Sequence, residues 1–508
     1  MNTGGVRAHS RWLSAPRDTT GTYANPVAPR MGRGTSGIPS GMHVRRAPAL
    51  RWLHASRWPP AIGRYAAGVL LLLATSAFAQ DADRLVTAAL GNTRAYETLS
   101  YLTDEIGPRP SGSANAARAV KWTSEQFRAW GIDVRTEKVT VPHWVRGEEH
   151  ASLVSHNDQK IVLTALGGSV ATPAAGITAE VIEVSSFDEL KQLGTKVKGK
   201  IVYYNNPMDL ELVKARHGFE AYSRAVIYRG SGASRAAEYG AVAALIRSVG
   251  SASLRTPHTG AMRYDPKQPK IPSAAMTTED AELVHRLIAR GDRVRMHVTL
   301  TPKTLPDVES ANVIAEIRGS EHPEEIVLIG GHLDSWDLGT GAIDDGSGVA
   351  MVMETLRLIK ESGLRPKRTI RAVLFMNEEN GLNGGRAYFA GHKNEKHVAA
   401  IETDAGAAAP TGFNTTLKGE ALEAMTARTK VLDRVGAHRF EFAAETGADT
   451  SFLIDSGVTG FGLIPDPLHY FDYHHTPADT LDKIDPKELA QDTAAVAALA
   501  WTISNNER

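Results

Sequence analysis

Five short stretches of this 508-residue chain place acids and imidazoles where apolar segments stop. The first, His332-Leu333-Asp334-Ser335, follows the apolar run Ile326–Gly331. In an extended segment His332 and Asp334 share a face. A histidine whose second nitrogen is held by a carboxylate is a common arrangement beside a metal, although a His-x-Asp alone is more often an ordinary polar turn. The second stretch, Gly341–Gly348, carries Asp344 and Asp345 in a glycine-rich loop before a helix. Such acids serve as turn residues, as helix caps, or as a carboxylate shared by two cations. The third, Asn377-Glu378-Glu379-Asn380-Gly381, ends a wholly apolar strand. Adjacent carboxylates there repel and are costly to bury. A metal removes the conflict by binding one acid and leaving the other as a base. The fourth, Glu402-Thr403-Asp404, repeats an acid at a strand end, and the fifth, Tyr473–Asp479, contains His474, His475 and Asp479. Each stretch is weak alone. Together they suit two zinc ions sharing one bridging carboxylate. The chain has no cysteine, so thiol catalysis, disulfides and thiolate ligands are excluded. Histidine and carboxylate donors accept manganese or cobalt as well as zinc.

The elements that must position these residues follow from hydrophobic pattern. After Pro306, strands alternate with helices, the signature of an α/β fold with a mostly parallel central sheet. Ile326–Gly331, Ile370–Met376 and Val398–Glu402 read as strands. Gly348–Glu361 reads as an amphipathic helix stopped by Gly363 and Pro366, and Pro486–Ile503 as a closing helix. Ligands in such sheets bind beyond the carboxyl ends of the strands, where the acids lie. From Asp81 to about Val141 the reading is mainly helical, with a Pro/Gly break at Leu102–Ser113 and a strand opening at Ile132-Asp133-Val134. From about Gly167 to Leu300 the texture changes to short strands and turns: Gly176–Val184, Gly199–Tyr204 and Val242–Ile246, then a helix capped at Thr277–Asp280. The expected organisation is a leader at 1–79, a first catalytic part at 80–166, an inserted module at 167–300 and a second catalytic part at 301–508.

The leader reads as basic, then apolar (Ala66–Ala74), then small-x-small at Ala77-Phe78-Ala79, the pattern of a secretory signal peptide. Met31 and Met42 are alternative starts. The expected location is therefore periplasmic or secreted. The full chain has 57 basic and 57 acidic residues. Cleavage after Ala79 leaves 47 basic against 56 acidic, a net of −9 that argues against nucleic acid as a partner. No later apolar run reaches the length of a membrane span.

The five motifs in this order resemble the co-catalytic zinc aminopeptidases, including the bacterial leucyl aminopeptidases and the plasma glutamate carboxypeptidase (carboxypeptidase Q) type. Leu102–Ser113 is similar to that group's N-terminal segment, and the insert around Val197–Val202 resembles a protease-associated domain. The resemblance implies a three-layer zinc-exopeptidase fold and a role for each matching position. His332 and Asp404 would bind one zinc, Glu379 and His475 the other, and Asp344 would bridge them. Glu378 would be the general base. Asp334 and Asp479 would orient His332 and His475. Thr476-Pro477-Ala478-Asp479 favours His475 over His474. Gly447–Phe452 matches a segment near the substrate, but Thr450 stands where the family often has histidine, which weakens any role for Asp449 beyond substrate contact. The expected activity is that of an exopeptidase on peptides, aminopeptidase favoured over carboxypeptidase or dipeptidase, with the insert as a substrate lid or a homodimer surface. A one-zinc glutaminyl-cyclase-like enzyme and a metal-free receptor-like relative are the rivals, and the full ligand set disfavours both. No Gly-x-Ser-x-Gly elbow or His-Glu-x-x-His motif supports another hydrolase class.

Overall fold

The computed structural model describes residues 80–506. The leader and its cleavage site lie outside them. Among the described residues sixteen strands build two eight-stranded sheets. In chain order these are β1 (Asp133–Val145), then β2 (Glu149–Leu153), β3 (Gln159–Ile161), β4 (Leu163–Ala165), β5 (Ile177–Val184), β6 (Ile201–Tyr204), β7 (Ala243–Arg247), β8 (Ser273–Met276) and β9 (Arg295–Leu300). They continue as β10 (Lys303–Ile317), β11 (His322–His332), β12 (Arg368–Phe375), β13 (Lys396–Glu402), β14 (Pro410–Thr415), β15 (Arg439–Phe442) and β16 (Thr459–Pro465).

The first sheet has the order β1-β10-β12-β11-β13-β16-β14-β15. Its centre, β12-β11-β13-β16, is parallel. The β1–β10–β12 flank and the β14–β16 pair are antiparallel. The sheet is therefore mixed, with its parallel part in the middle. Both faces are buried, as the apolar runs require. Val327, Ile329, Ile370, Ala372, Leu374 and Ile401 enter one large core. The alternating residues Leu328, Val373, Phe375 and Ala400 join Tyr388 and Leu453 in a smaller one. Helices Ser347–Ser362 and Pro486–Asn505 pack together on the first face, and Asn383–His392 and Ser451–Asp455 on the other. This gives three layers.

Helix Ser347–Ser362 differs from the amphipathic expectation. It is buried on every side from Ser347 to Ile359, because the closing helix covers the face that would otherwise meet water. Its two interior charges neutralise each other: Arg357 donates to both carboxylate oxygens of Glu354 at 2.7 Å, and Glu354 also accepts the Arg94 N–H at 2.9 Å. Gly363 ends the helix in the left-handed region (φ 70°), as glycine readily does.

The second sheet has the order β3-β2-β9-β5-β6-β7-β8-β4 and a core of its own. It takes strands from Glu149 onward, ahead of the Gly167 at which the sequence reading opened the inserted module. The hairpin β2–β3 and strand β4, expected in the first catalytic part, belong here because β2 pairs with β9 and β4 with β8. Among the described residues no helix is long and apolar enough to cross a membrane.

Candidate metal centre

Strands β11, β12 and β13 are parallel neighbours, so their carboxyl ends reach one edge together. His332 pairs with Phe375 and Gly330 with Glu402 in the ladder. The residues that follow, Asn377–Glu379 and Thr403-Asp404, therefore stand beside His332. The loop Gly341–Ser347 crosses the same edge and brings in Asp344. Two glycines admit this approach: a Cβ on Gly331 would lie 2.6 Å from Asp345 Oδ2, and one on Gly348 would lie 2.1 Å from the Thr403 carbonyl.

Asp344 is the hub. Its Oδ1 lies 3.0 Å from His332 Nε2, and its Oδ2 lies 3.0 Å from His475 Nε2. Asp404 Oδ1 is 3.5 Å from His332 Nε2, and Glu379 Oε2 is 3.1 Å from His475 Nε2. The structure thus brings together all five residues expected to hold metal, arranged as two imidazole–carboxylate pairs about one shared acid. His474 also approaches Asp344, at 3.4 Å, and its ring stacks on His475 with centroids 3.6 Å apart. His475 is the better placed of the two because it faces Glu379 as well. It holds a left-handed backbone (φ 62°) that costs a non-glycine residue energy.

Two triads have ligand atoms within 4.8 Å of one another: Asp344, His474 and His475, and His332, Asp345 and Asp404. Asp345 is occupied otherwise. Its Oδ2 accepts the His332 N–H at 2.9 Å and its Oδ1 the Gly348 N–H at 3.1 Å, so it ties the loop to the strand and caps the helix.

The donor chemistry fits a cation. His332 Nδ1 donates to the Asp334 carbonyl at 2.9 Å, and His475 Nδ1 to the Thr259 carbonyl at 3.2 Å. Those bonds put the ring proton on Nδ1 in each neutral imidazole and leave the Nε2 lone pairs aimed at carboxylates. Lone pairs facing anions repel unless a proton or a metal lies between them. Asp344 Oδ2 is buried without a hydrogen bond. Without metal the cluster responds through its pKa values. Burial works against a charged His475, but Glu379 and Asp344 beside it raise its pKa to about 10. Burial and the Asp344 charge push Glu379 up to about 7. Burial, then Asp404, Glu379 and Asp449, hold the Glu378 carboxyl well above its usual range.

Asp334 and Asp479 act differently from the expected orientation of the two histidines. Backbone carbonyls hold both rings, and the Asp334 carboxylate stays 3.9 Å from His332 Nδ1. Asp334 Oδ1 accepts the N–H groups of Asn377 (2.7 Å) and Glu378 (3.1 Å), and its Oδ2 accepts the Ser111 hydroxyl (2.7 Å). It fixes the backbone that carries Glu378. Asp479 accepts the N–H groups of Ala342, Ile343 and Asp344 at 2.9, 2.7 and 3.3 Å, and so fixes the loop that carries the hub. Glu402 does the same for the loop after Gly447, accepting from Ala448, Asp449 and Thr450. Residues 446–448 line the site cavity while Asp449 does not, which leaves the expected substrate contact to the loop around it.

Sequence reading missed two further parts, the roles of Arg109 and Trp336. Arg109, wholly buried, donates to the carbonyls of Leu333 (2.9 Å), Thr340 (2.7 Å) and Gly341 (2.9 Å), stitching the segment after His332 to the Asp344 loop. Trp336 packs in the core of the second sheet, and its backbone N–H donates to Glu379 Oε1 at 3.1 Å. The insert also walls the catalytic cavity, a space of about 270 Å³ lined by Asp344, Glu378, Glu379, Asp404 and His475 and by the insert's Phe219, Tyr222 and Arg229. Only the Pro/Gly-rich segment around Arg109 carried a local signal.

A cleft at the strand ends, a metal-capable cluster and a carboxyl without a hydrogen bond beside it are the parts that a metal-assisted hydrolase needs. The model of Peptidase family M28 matches residues 312–500. Carboxypeptidase Q of Mus musculus is 41% identical over 81% of this chain and 86% of its own. A solved peptidase M28 precursor from Shewanella amazonensis is 39% identical, covers 85% of this chain and 98% of its own, and superposes with a TM-score of 0.82. A zinc aminopeptidase from Bacillus subtilis shares the fold at 20% identity, covering 82% of this chain and 96% of its own, with a TM-score of 0.60. The chain belongs to peptidase family M28, with carboxypeptidase Q among its relatives.

Proposed function

We propose that this chain is an exported two-zinc exopeptidase that hydrolyses the peptide bond next to a free terminus. The observation that carries the reading is Asp344 set between two imidazole–carboxylate pairs, with the unbonded Glu378 carboxyl in the same cavity. His332 and Asp404 would hold one zinc, Glu379 and His475 the other, and Asp344 both. When bound, the metals supply Lewis acidity, which acidifies water and polarises a peptide carbonyl. Glu378 takes the proton from the attacking water and returns it to the leaving amine nitrogen. Asp334 keeps Glu378 in place through its backbone, and Asp345, Asp479 and Arg109 keep Asp344 in place. Export is supported by the signal-like pattern at Ala66–Ala79. The insert, in this reading a protease-associated domain, closes one side of the cavity.

Relatives support both polarities. One of 41% identity is named for carboxypeptidase action, and a 20% structural relative for aminopeptidase action. The closer likeness favours the carboxypeptidase Q type of exopeptidase over the aminopeptidase favoured from motifs alone. A peptide library with each end free or blocked, digested and read by mass spectrometry, tests this. Products should be released only from free ends, with amidation of the C-terminus the more damaging block. Cleavage inside doubly blocked peptides would contradict the proposal.

A further inference from the structure

We propose that Arg229 is the receptor for a substrate carboxylate and sets the enzyme's preference for peptides whose free carboxyl end lies beside the scissile bond. This rests on the exopeptidase reading above and adds the residue that reads the terminus.

Arg229 lies on the insert helix Ile227–Glu238, lines the catalytic cavity and is only 6% exposed. Buried guanidinium groups are almost always paired with an acid. Arg229 has no hydrogen bond and no ion pair among the described residues, and its Nε is buried without an acceptor. Its one specific contact is the Tyr222 ring, with the guanidinium carbon 5.4 Å from the centroid. A ring face satisfies the flat side of a guanidinium and leaves its in-plane N–H donors unused. Those donors match a carboxylate, which takes two at once.

The surrounding backbone is shaped around this side chain. Gly260, at φ +136°, leaves the space it needs: a Cβ there would come within 2.5 Å of the guanidinium carbon. The same segment supplies the Thr259 carbonyl that holds His475, so the group is registered to the metal centre. Tyr222 stands between them, its ring 5.3 Å from that of His474. One aromatic ring, Tyr222, thus touches both the guanidinium and the His474 ring that stacks on His475. A carboxylate bound there belongs to a residue adjoining the cleaved bond. Phe219, Tyr222, Tyr470 and Phe471 provide apolar walls for that residue's side chain.

The test compares a dipeptide with its C-terminal amide on the zinc-loaded enzyme. Wild type should prefer the free acid in kcat/KM. Arg229→Met, which keeps the apolar stem, should collapse the acid-to-amide ratio by about 10- to 100-fold, the range for a charged hydrogen-bonding contact. Most of the change should fall in KM, and Arg229→Lys should retain part of the preference. Zinc content measured on each variant separates this from damage to the metal centre. A wild-type enzyme indifferent to amidation overturns the proposal even if Arg229→Met does not fold. So does an Arg229→Met enzyme that keeps the wild-type ratio, and in both cases the exopeptidase reading survives. Hydrolysis of neither peptide by wild type would remove that reading and the proposal together.

Discussion

Glu378→Gln should lower kcat by about 10²- to 10⁴-fold, the usual contribution of a positioned general base, while zinc content and thermal stability stay at wild-type values. The amide has the shape of the carboxyl but cannot take a proton. Nothing structural depends on the lost charge: Glu378 is held through its backbone N–H by Asp334, and its side chain makes no hydrogen bond among the described residues. Its carboxyl is already pushed up by burial and by the acids Asp404, Glu379 and Asp449. Neutralising it therefore removes repulsion rather than support. Elemental analysis, a melting curve and steady-state kinetics on one preparation check all three expectations. Retained turnover would exclude Glu378 as the base.

Asp344→Ala should abolish activity by a different route, through loss of metal. Asp344 is the only one of the five residues within 3.0 Å of both His332 Nε2 and His475 Nε2. Its removal takes a ligand from both positions at once, whereas loss of Asp404 or Glu379 takes one from a single position. The expected result is metal content well below that of wild type, with turnover at background even when zinc is added. Losing a group that only hydrogen-bonds to a metal ligand commonly costs about 10- to 100-fold, and removal of a shared ligand should exceed that. Full zinc content in this variant would mean that the metals, if present, are not organised around Asp344.

The readable parts of this molecule were those where one local pattern has one physical meaning. Apolar runs such as Ile326–Gly331 and Ile370–Met376 are buried strands, and acids that interrupt them at their ends sit at the sheet edge where function gathers. That logic singled out the stretches, the family resemblance implied His332, Asp344, Glu379, Asp404 and His475 within them, and these five are linked through Asp344 and the two imidazoles. The sequence favoured His475 over His474 through Thr476-Pro477-Ala478-Asp479, and the structure adds that His475 lies 3.1 Å from Glu379 while His474 approaches Asp344 alone. Asp334 and Asp479 misled for a clear reason. An acid near a histidine in sequence suggests an acid–imidazole bond, yet both carboxylates are drawn to clustered backbone N–H groups that the loops leave unpaired. Helix Ser347–Ser362 has a polar-looking face because Glu354 and Arg357 lie on it, and only tertiary structure shows them paired in the interior. Thr259, Arg109 and Arg229 reach the site from segments remote in sequence, with no periodicity or motif to announce them. The place of β2–β4 in the second sheet was hidden because they are short, and β2 and β4 pair with β9 and β8, far along the chain.

The proposed hydrolysis requires a pair of zinc ions sharing Asp344. Crystals of the zinc-loaded enzyme, measured on both sides of the zinc absorption edge, test it most directly. Two anomalous peaks should flank Asp344, one by His332 and Asp404 and the other by Glu379 and His475. A single peak, or two peaks that leave Asp344 outside the coordination of either, would exclude a two-zinc centre built on Asp344.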